Sequence, residues 1–465
     1  MPAYRFIPPG STLPTPARIG PWEYGGALYG VFINAANYDG VPFRPSMYKS
    51  TDHGATWAIV NPQTSGWTNN QVSAAHGVYS CDRYGDAIYL LWGQRGGVAG
   101  ADQVTLRVAR FSLTTDTWTA DISGAGPTIA GYDAASNNAG DHADRPLKVL
   151  VARKTDGALC IAYTSATNAS GRGVASYVTY TPGVGWGTPV TLRDDSARNH
   201  YPVAALSSNA GKIHWFLCSD TDSVPTTGST RQLHHVTLDA AGTLHTYQTL
   251  SADIGRAWYG GAGQPDIGDN GAYEELAITA LSASTTAGLS SHLLFTAPEG
   301  DTPAWATETL PMPGGDFYLD NELNALNAFA SCCAYTSGTQ AIGFFFFSQN
   351  YFGTSTRGSN DYREYFIQYP PSASRLNVIV GTYDEPGATA PPTVVNSRLW
   401  RMEKTGPGAW TSTVIYTEEN DYLLGAPASL WLTAAPVAAG WTFSYLGSSP
   451  VGGFGGTAGG LSVLS

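Results

Sequence analysis

Tryptophan recurs along this chain at a spacing that few architectures accommodate. Trp57 is followed by Trp118 ("TTDTWTADI"), Trp186 ("GVGWGTPVTL"), Trp305 ("DTPAWATETL") and Trp410 ("GPGAWTSTVI"). Leu244, in "AAGTLHTYQTL", fills the slot between Trp186 and Trp305. The step is about 60 residues, with a longer one before Trp410. A rich apolar run precedes each slot: "AIYLLWGQ", "ALCIAYTS", "KIHWFLCS", "ELAITALS" and "AIGFFFFS". After a variable loop comes a further strand pattern: "MYKSTD", "RVARFSL", "SYVTYTP", "LHHVTLD", "HLLFTAP" and "RLWRMEK". With an apolar strand ahead of the rich run, each repeat reads as four short strands, the last bearing the Trp. Because the second strand is apolar on both faces, its sheet must be covered on both sides.

Four-stranded units covered on both faces are the blades of a β-propeller. The 54 glycines and 29 prolines among 465 residues supply the turns, and 43% hydrophobic residues supply the core. Helical periodicity of useful length is missing between the strands, which excludes doubly wound and TIM-type folds. Six units end near Tyr416. Two strands, "SLWLTAA" and "GWTFSYLG", and the terminal "GGLSVLS" follow, and "AYRFIP" near Arg5 can supply the fourth strand of a closing blade. The expectation is a single all-β domain over 1–465, a propeller of seven blades closed by the N-terminal strand joining the C-terminal blade. Six blades is the alternative. An insertion at 348–396, holding "REYFIQYP" and "LNVIVGTYD", is expected as a β-hairpin arm within the sixth blade on the ligand face.

The net charge of −12 comes without a basic block, which argues against a nucleic-acid partner. The longest apolar run, 341–347, is too short for a bilayer span, so no membrane insertion is expected. Five cysteines, an odd number lying mostly in apolar runs, read as buried free thiols. No Cys/His spacing suits a metal, and neither metal nor cofactor is expected. The N-terminal "MPAYRFIPPGSTLPTP" lacks the basic flank and apolar stretch of a secretory signal. The expectation is therefore synthesis in a cytoplasm, followed by virion-associated or extracellular work.

One hairpin has a stricter grammar. In "KSTDHGATW", Ser50, Asp52, Gly54, Thr56 and Trp57 fall as S-x-D-x-G-x-T-W. Ser50 and Asp52 can accept turn N–H bonds, Gly54 can turn left-handed, and Trp57 can pack between sheets. The segment resembles the Asp-box, or BNR repeat, of sialidase-like propellers, where it is a structural staple on the face opposite the ligand.

In a propeller, the loops entering each first strand gather on one face. Here they read "PWEYGG", "SAAHG", "DHADRP", "ARNHYP", "GRAWYGG", "DFYLDNELN" and "NDYLLGAP". Aromatic and polar groups converging on a funnel suit a sugar. The expected ligand-binding residues are His76, Arg145, Arg198, His200, Trp258 and Tyr259, with His142 and Tyr201 beside them.

The stretches "DHADRPLKVLVARKTDGALCIAYTSATN" and "RNHYPVAALSSNAGKIHWFLCSD" resemble consecutive blades of BNR-4 propellers, a group that includes ulvan-type polysaccharide lyases. The resemblance implies His142 and Tyr201 as the proton-transferring pair of a β-elimination. The family's second His and its Arg fall near Ser165 and Cys218, where this chain has neither. The Asp316, Asp320 and Glu322 cluster reads as solvated rather than as a glycosidase pair. The expected function is non-catalytic glycan recognition by a virion-borne receptor-binding or decorating protein of phage tail or fibre type. Its expected partners are a cell-surface or extracellular glycan and other virion proteins. A polysaccharide lyase, or a sialidase-like glycan-degrading enzyme, is the alternative.

Overall fold

Strand Ile213–Asp220, "IHWFLCSD", shows why these sequences stack as sheets. Alternation sends Ile213, Trp215 and Leu217 to one side, where they meet Val149, Val151, Cys160 and Ala162. Phe216 and Cys218 go to the other side, against Leu276, Ile278 and Phe295. Both faces are dry, so both sets are apolar.

The computed structural model describes residues 5–6, 22–34, 44–51, 58–60, 80–95, 103–130, 148–221, 231–254, 266–269, 274–281, 292–309, 330–333, 341–349, 361–369, 377–384, 395–406, 409–420, 429–431 and 442–444. These residues contain no helix. Their strands pair throughout as antiparallel neighbours in seven sheets.

The first five sheets follow the sequence in order. The first runs Trp22–Tyr24, Ala27–Asn34, Arg44–Ser50, Ala58–Val60. The second is built on Ser80–Tyr84, Ala87–Arg95 and Gln103–Ser112, whose outer neighbours are Thr117–Thr119 and Thr128–Ala130. In the third, Lys148–Ala152, Leu159–Thr167 and Gly173–Thr181 are followed by Gly185–Trp186 and Val190–Arg193. The fourth runs Asn199–Ser207, Ile213–Asp220, Arg231–Leu238, Gln248–Ile254. The fifth runs Asp266–Asp269, Glu274–Leu281, His292–Pro298, Ala306–Thr309.

Four apolar clusters join them pairwise: first to second, second to third, third to fourth, fourth to fifth. First strands also touch. Ser80 Oγ accepts from Leu150 N at 2.8 Å, and Asp82 Oδ2 from Ala152 N at 3.0 Å. Meanders packed face to face in sequence order, with first strands adjacent, make a propeller-like arrangement.

In the second to fifth sheets the repeated Trp slot does one job: it covers the preceding sheet. Trp118 packs with Trp22 and Tyr29 of the first sheet. Trp186 donates its Nε1–H to Ser123 O of the second at 3.0 Å. Leu244 packs in the cluster between third and fourth sheets, and Trp305 stands edge-on to Phe216 and His235 of the fourth. Trp410 is the second residue of the long strand Ala409–Asn420, and Trp57 lies outside the described residues.

The C-terminal third departs from the expected order. Ala330–Cys333 pairs not with Ala341–Gln349 but with Asn377–Asp384. That strand continues through Val395–Gly406 and Ala409–Asn420 to Ser429–Trp431 in one sheet. Ala341–Gln349 pairs instead with Asp361–Tyr369. On the other edge of Asp361–Tyr369 lie both Arg5–Phe6 and Thr442–Ser444. The expected insertion hairpin is thus split between two sheets. The two strands "SLWLTAA" and "GWTFSYLG" are likewise separated rather than shared by one closing blade. Physically, consecutive apolar runs fix that strands form, not which of several equally apolar runs is the partner. The strand near Arg5 does share a sheet with a C-terminal strand.

Candidate functional site

Of the expected site residues, Arg198, His200, Tyr201 and Ser50 lie among the described residues. His76, His142, Arg145, Trp258, Tyr259, Asp52, Gly54, Thr56 and Trp57 lie outside them. Ser50 ends the strand Arg44–Ser50 and is buried. Its neighbour Lys49 bridges to Asp116 of the second sheet at 2.7 Å, which ties this strand to that sheet.

Arg198 belongs to the segment 194–198 that enters the first strand of the fourth sheet, and the third sheet braces that segment at several points. Asn168 Nδ2 donates to Asp194 Oδ1 at 2.7 Å and to the Asp195 carbonyl at 3.0 Å. The Thr164 hydroxyl donates to the His200 carbonyl at 3.2 Å, and Gly173 N donates to Asn199 Oδ1 at 2.9 Å. Ala197 N closes the loop on Asp195 Oδ1 at 2.8 Å. That last bond, then the nearby His200 and Arg193, hold the Asp195 carboxyl below its usual value.

His200 points inward. Its side chain is 1% exposed, with Nδ1 at 3.0 Å from the Tyr247 hydroxyl and Nε2 at 3.7 Å from Asp195 Oδ2. Burial lowers its pKa to about 4 and pushes that of Tyr247 up, so at neutral pH an uncharged phenol and an uncharged imidazole share this hydrogen bond. His234 stands against the same Tyr247 ring at 4.8 Å, between the Ser219 hydroxyl at 2.8 Å and the Thr249 hydroxyl at 3.1 Å. Its pKa falls to about 3, again through burial first. The Arg193 guanidinium covers the Tyr247 ring at 4.8 Å.

The outcome differs from the sequence expectation in one respect. His200 and Tyr201, 6% exposed, are sealed between sheets rather than lining an open funnel. Arg198 remains half-buried, and its Nη1 has no hydrogen-bond partner among the described residues. Sequence reasoning passed over Arg193, Asp195, Tyr247 and His234. Two signals pointed to them: the charged run "RDDSARNH", and the doubled His234–His235 in a chain with nine histidines.

Lys148, which opens the first strand of the third sheet just after "DHADRP", is 2% exposed, and burial lowers its pKa to about 8. Among the described residues no group of three or more His, Cys, Asp or Glu has a metal-holding arrangement. Nor is any helix there long and apolar enough to cross a membrane.

No family model matches the chain, and no curated protein does. Solved structures with a loose likeness include an α-L-arabinofuranosidase from Fusarium graminearum. It is 12% identical, with a TM-score of 0.44 over 79% of this chain and 98% of that one. An exo-1,5-α-L-arabinanase from a bovine ruminal metagenomic library is 11% identical over 62% and 94%, with a TM-score of 0.33. The Bombyx mori β-fructofuranosidase is 12% identical over 96% and 87%, with a TM-score of 0.35. Likeness at this level assigns neither an activity nor a substrate to the chain.

Proposed function

We propose that this chain is a seven-bladed propeller whose entry-loop face recognises a glycan without cleaving it. Seven sheets, with Arg5–Phe6 and Thr442–Ser444 on one edge of the same sheet, support a ring joined at its termini. The observation that carries recognition is Arg198. It is half-buried on an entry segment that Asn168 braces through Asp194 and Asp195, so part of the side chain stays open to a ligand oxygen. Entry-loop aromatics such as Trp258 and Tyr259 would supply the stacking surface for a sugar ring.

Recognition is favoured over elimination by the burial of Tyr201. A proton-transferring phenol must reach the leaving oxygen, and this one is 6% exposed. The described cysteines Cys81, Cys160 and Cys218 are free and buried, which fits assembly in a reducing compartment. With the lysine-poor, Gly/Ser/Thr/Tyr-rich composition, this supports a virion-borne receptor-binding or decorating role, with other virion proteins as neighbours.

Screening the protein on a glycan array and titrating the best ligand tests the reading. Arg198→Ala should weaken that ligand about tenfold, at an unchanged melting temperature, because one charged hydrogen bond is worth about 1.5–3 kcal/mol. Equal affinity in the folded variant would remove Arg198 from the site. Mass spectrometry of purified particles tests the virion assignment, and absence of the chain from them would refute it.

A further inference from the structure

Four of the chain's nine histidines, His200, His214, His234 and His235, are buried in the fourth sheet. The described residues of the first three sheets contain none. His234 and His235 are consecutive in Arg231–Leu238, so strand alternation sends one to each face, and each meets a second histidine there.

On the face toward the fifth sheet, His214 and His235 stack with centroids 5.3 Å apart and planes 18° apart. Neighbouring bonds fix their protons. Gln248 Nε2 donates to Pro303 O at 3.0 Å, so Gln248 Oε1 faces His235 Nδ1 at 3.3 Å, and that nitrogen carries the hydrogen. His235 Nε2 must then accept, and His214 Nδ1, 3.1 Å away, must donate. A proton added to His235 Nε2 would meet the His214 N–H head-on. The charged groups facing this pair are Glu299, with Oε1 at 3.4 Å from His214 Nε2, together with Lys212 and Glu274. Trp305 and Phe216 close around His235 at 5.0 and 5.2 Å.

On the face toward the third sheet, the His200 and His234 rings lie 5.8 Å apart and share Tyr247. The charged groups facing them are Asp195, Arg193 and Arg198, two cations against one anion. A proton on either ring adds positive charge beside both guanidiniums and the other imidazole.

We propose that the fourth sheet is an acid-sensitive element, held between its neighbours by buried histidine pairs and loosened when they take up further protons. Burial is the first cause that lowers the proton affinity of all four imidazoles below that of an exposed one. An opened sheet therefore binds protons that the packed sheet does not, and acid favours opening. The loss begins below the ordinary imidazole value of 6.5, not above it.

Hydrogen exchange read by mass spectrometry at about pH 7.5 and about pH 5, with exposure times scaled for intrinsic exchange, tests this directly. Peptides from 199–254 should lose protection by about tenfold or more in acid, since each group's proton uptake grows tenfold per pH unit, while peptides from 80–130 keep theirs. Unchanged protection of 199–254, or an equal loss in 80–130, would overturn the proposal. The double variant His234→Gln, His235→Leu removes one member of each pair and should blunt the acid response. A folded double variant with the full wild-type response would also overturn it. If the variant does not fold, the regional comparison in the wild type decides.

Discussion

Gly126 shows how tightly single residues are specified. Its backbone needs no left-handed turn, yet an added Cβ would lie 2.8 Å from the Leu106 carbonyl oxygen and closer still to the Trp186 ring. The indole reaches across from the third sheet to the second, so Gly126→Ala should push the two apart and cost about 1–3 kcal/mol. Urea unfolding of the variant measures this, and a change below experimental error would show that the indole moves aside freely. Tyr247→Phe probes a different cause. It removes the hydroxyl that satisfies His200 Nδ1 at 3.0 Å and leaves that nitrogen buried without a partner. A loss of about 1–3 kcal/mol is expected, with the fold retained. At this scale the sequence was a partial guide. It marked His200 and Arg198 as entry-loop residues, but it could not say that one is sealed and the other half-buried. That depends on side-chain direction in a strand with a register shift between Pro202 and Ala204.

At the scale of elements, the Trp slot is what the sequence revealed best, because its physical cause is local. In the second to fifth sheets each slot covers the preceding sheet, so a large apolar side chain recurs at the same place there. Trp118, 9% exposed and edge-on to Phe111 at 5.1 Å, should cost about 3–5 kcal/mol on truncation to Ala. A fall in the urea midpoint with an unchanged slope checks it. A loss under 1 kcal/mol would mean that the slot is not a principal contact between sheets. Second strands were equally legible: "KIHWFLCS" and "ALCIAYTS" place apolar side chains on both faces and are covered on both. The pairing of "AIGFFFFS" was not legible. Ala341–Gln349 and Asn377–Asp384 are both strand-like, and only the tertiary context chooses Asn377–Asp384 as the partner of Ala330–Cys333.

Over the whole molecule, the buried imidazoles and the ion-paired carboxyls act in the same direction. His200 at about 4 and His234 at about 3 bind protons more weakly than the exposed value of 6.5, so the unfolded chain takes up protons first. Their contribution is complete above about pH 6.5 and declines as pH falls from there toward 4. Asp195 and Glu299, held below the ordinary carboxyl value by their hydrogen bonds first, add a further loss at lower pH. Urea midpoints across pH 4 to 8 should therefore fall steadily on the acid side. A flat profile would show that these groups titrate alike in both states. The strand order gave the sequence its hold on the fold, because a repeat of four strands leaves few ways to pack. The site was harder to read, since which entry-loop side chains are sealed depends on how neighbouring sheets pack. The central claim is that the entry-loop face holds a glycan and leaves it intact. Its most direct test is to incubate the protein with its best array ligand and analyse both by mass. A retained complex that releases the glycan at its original mass is expected. A shortened or unsaturated product, or no glycan retained from any array, would contradict it.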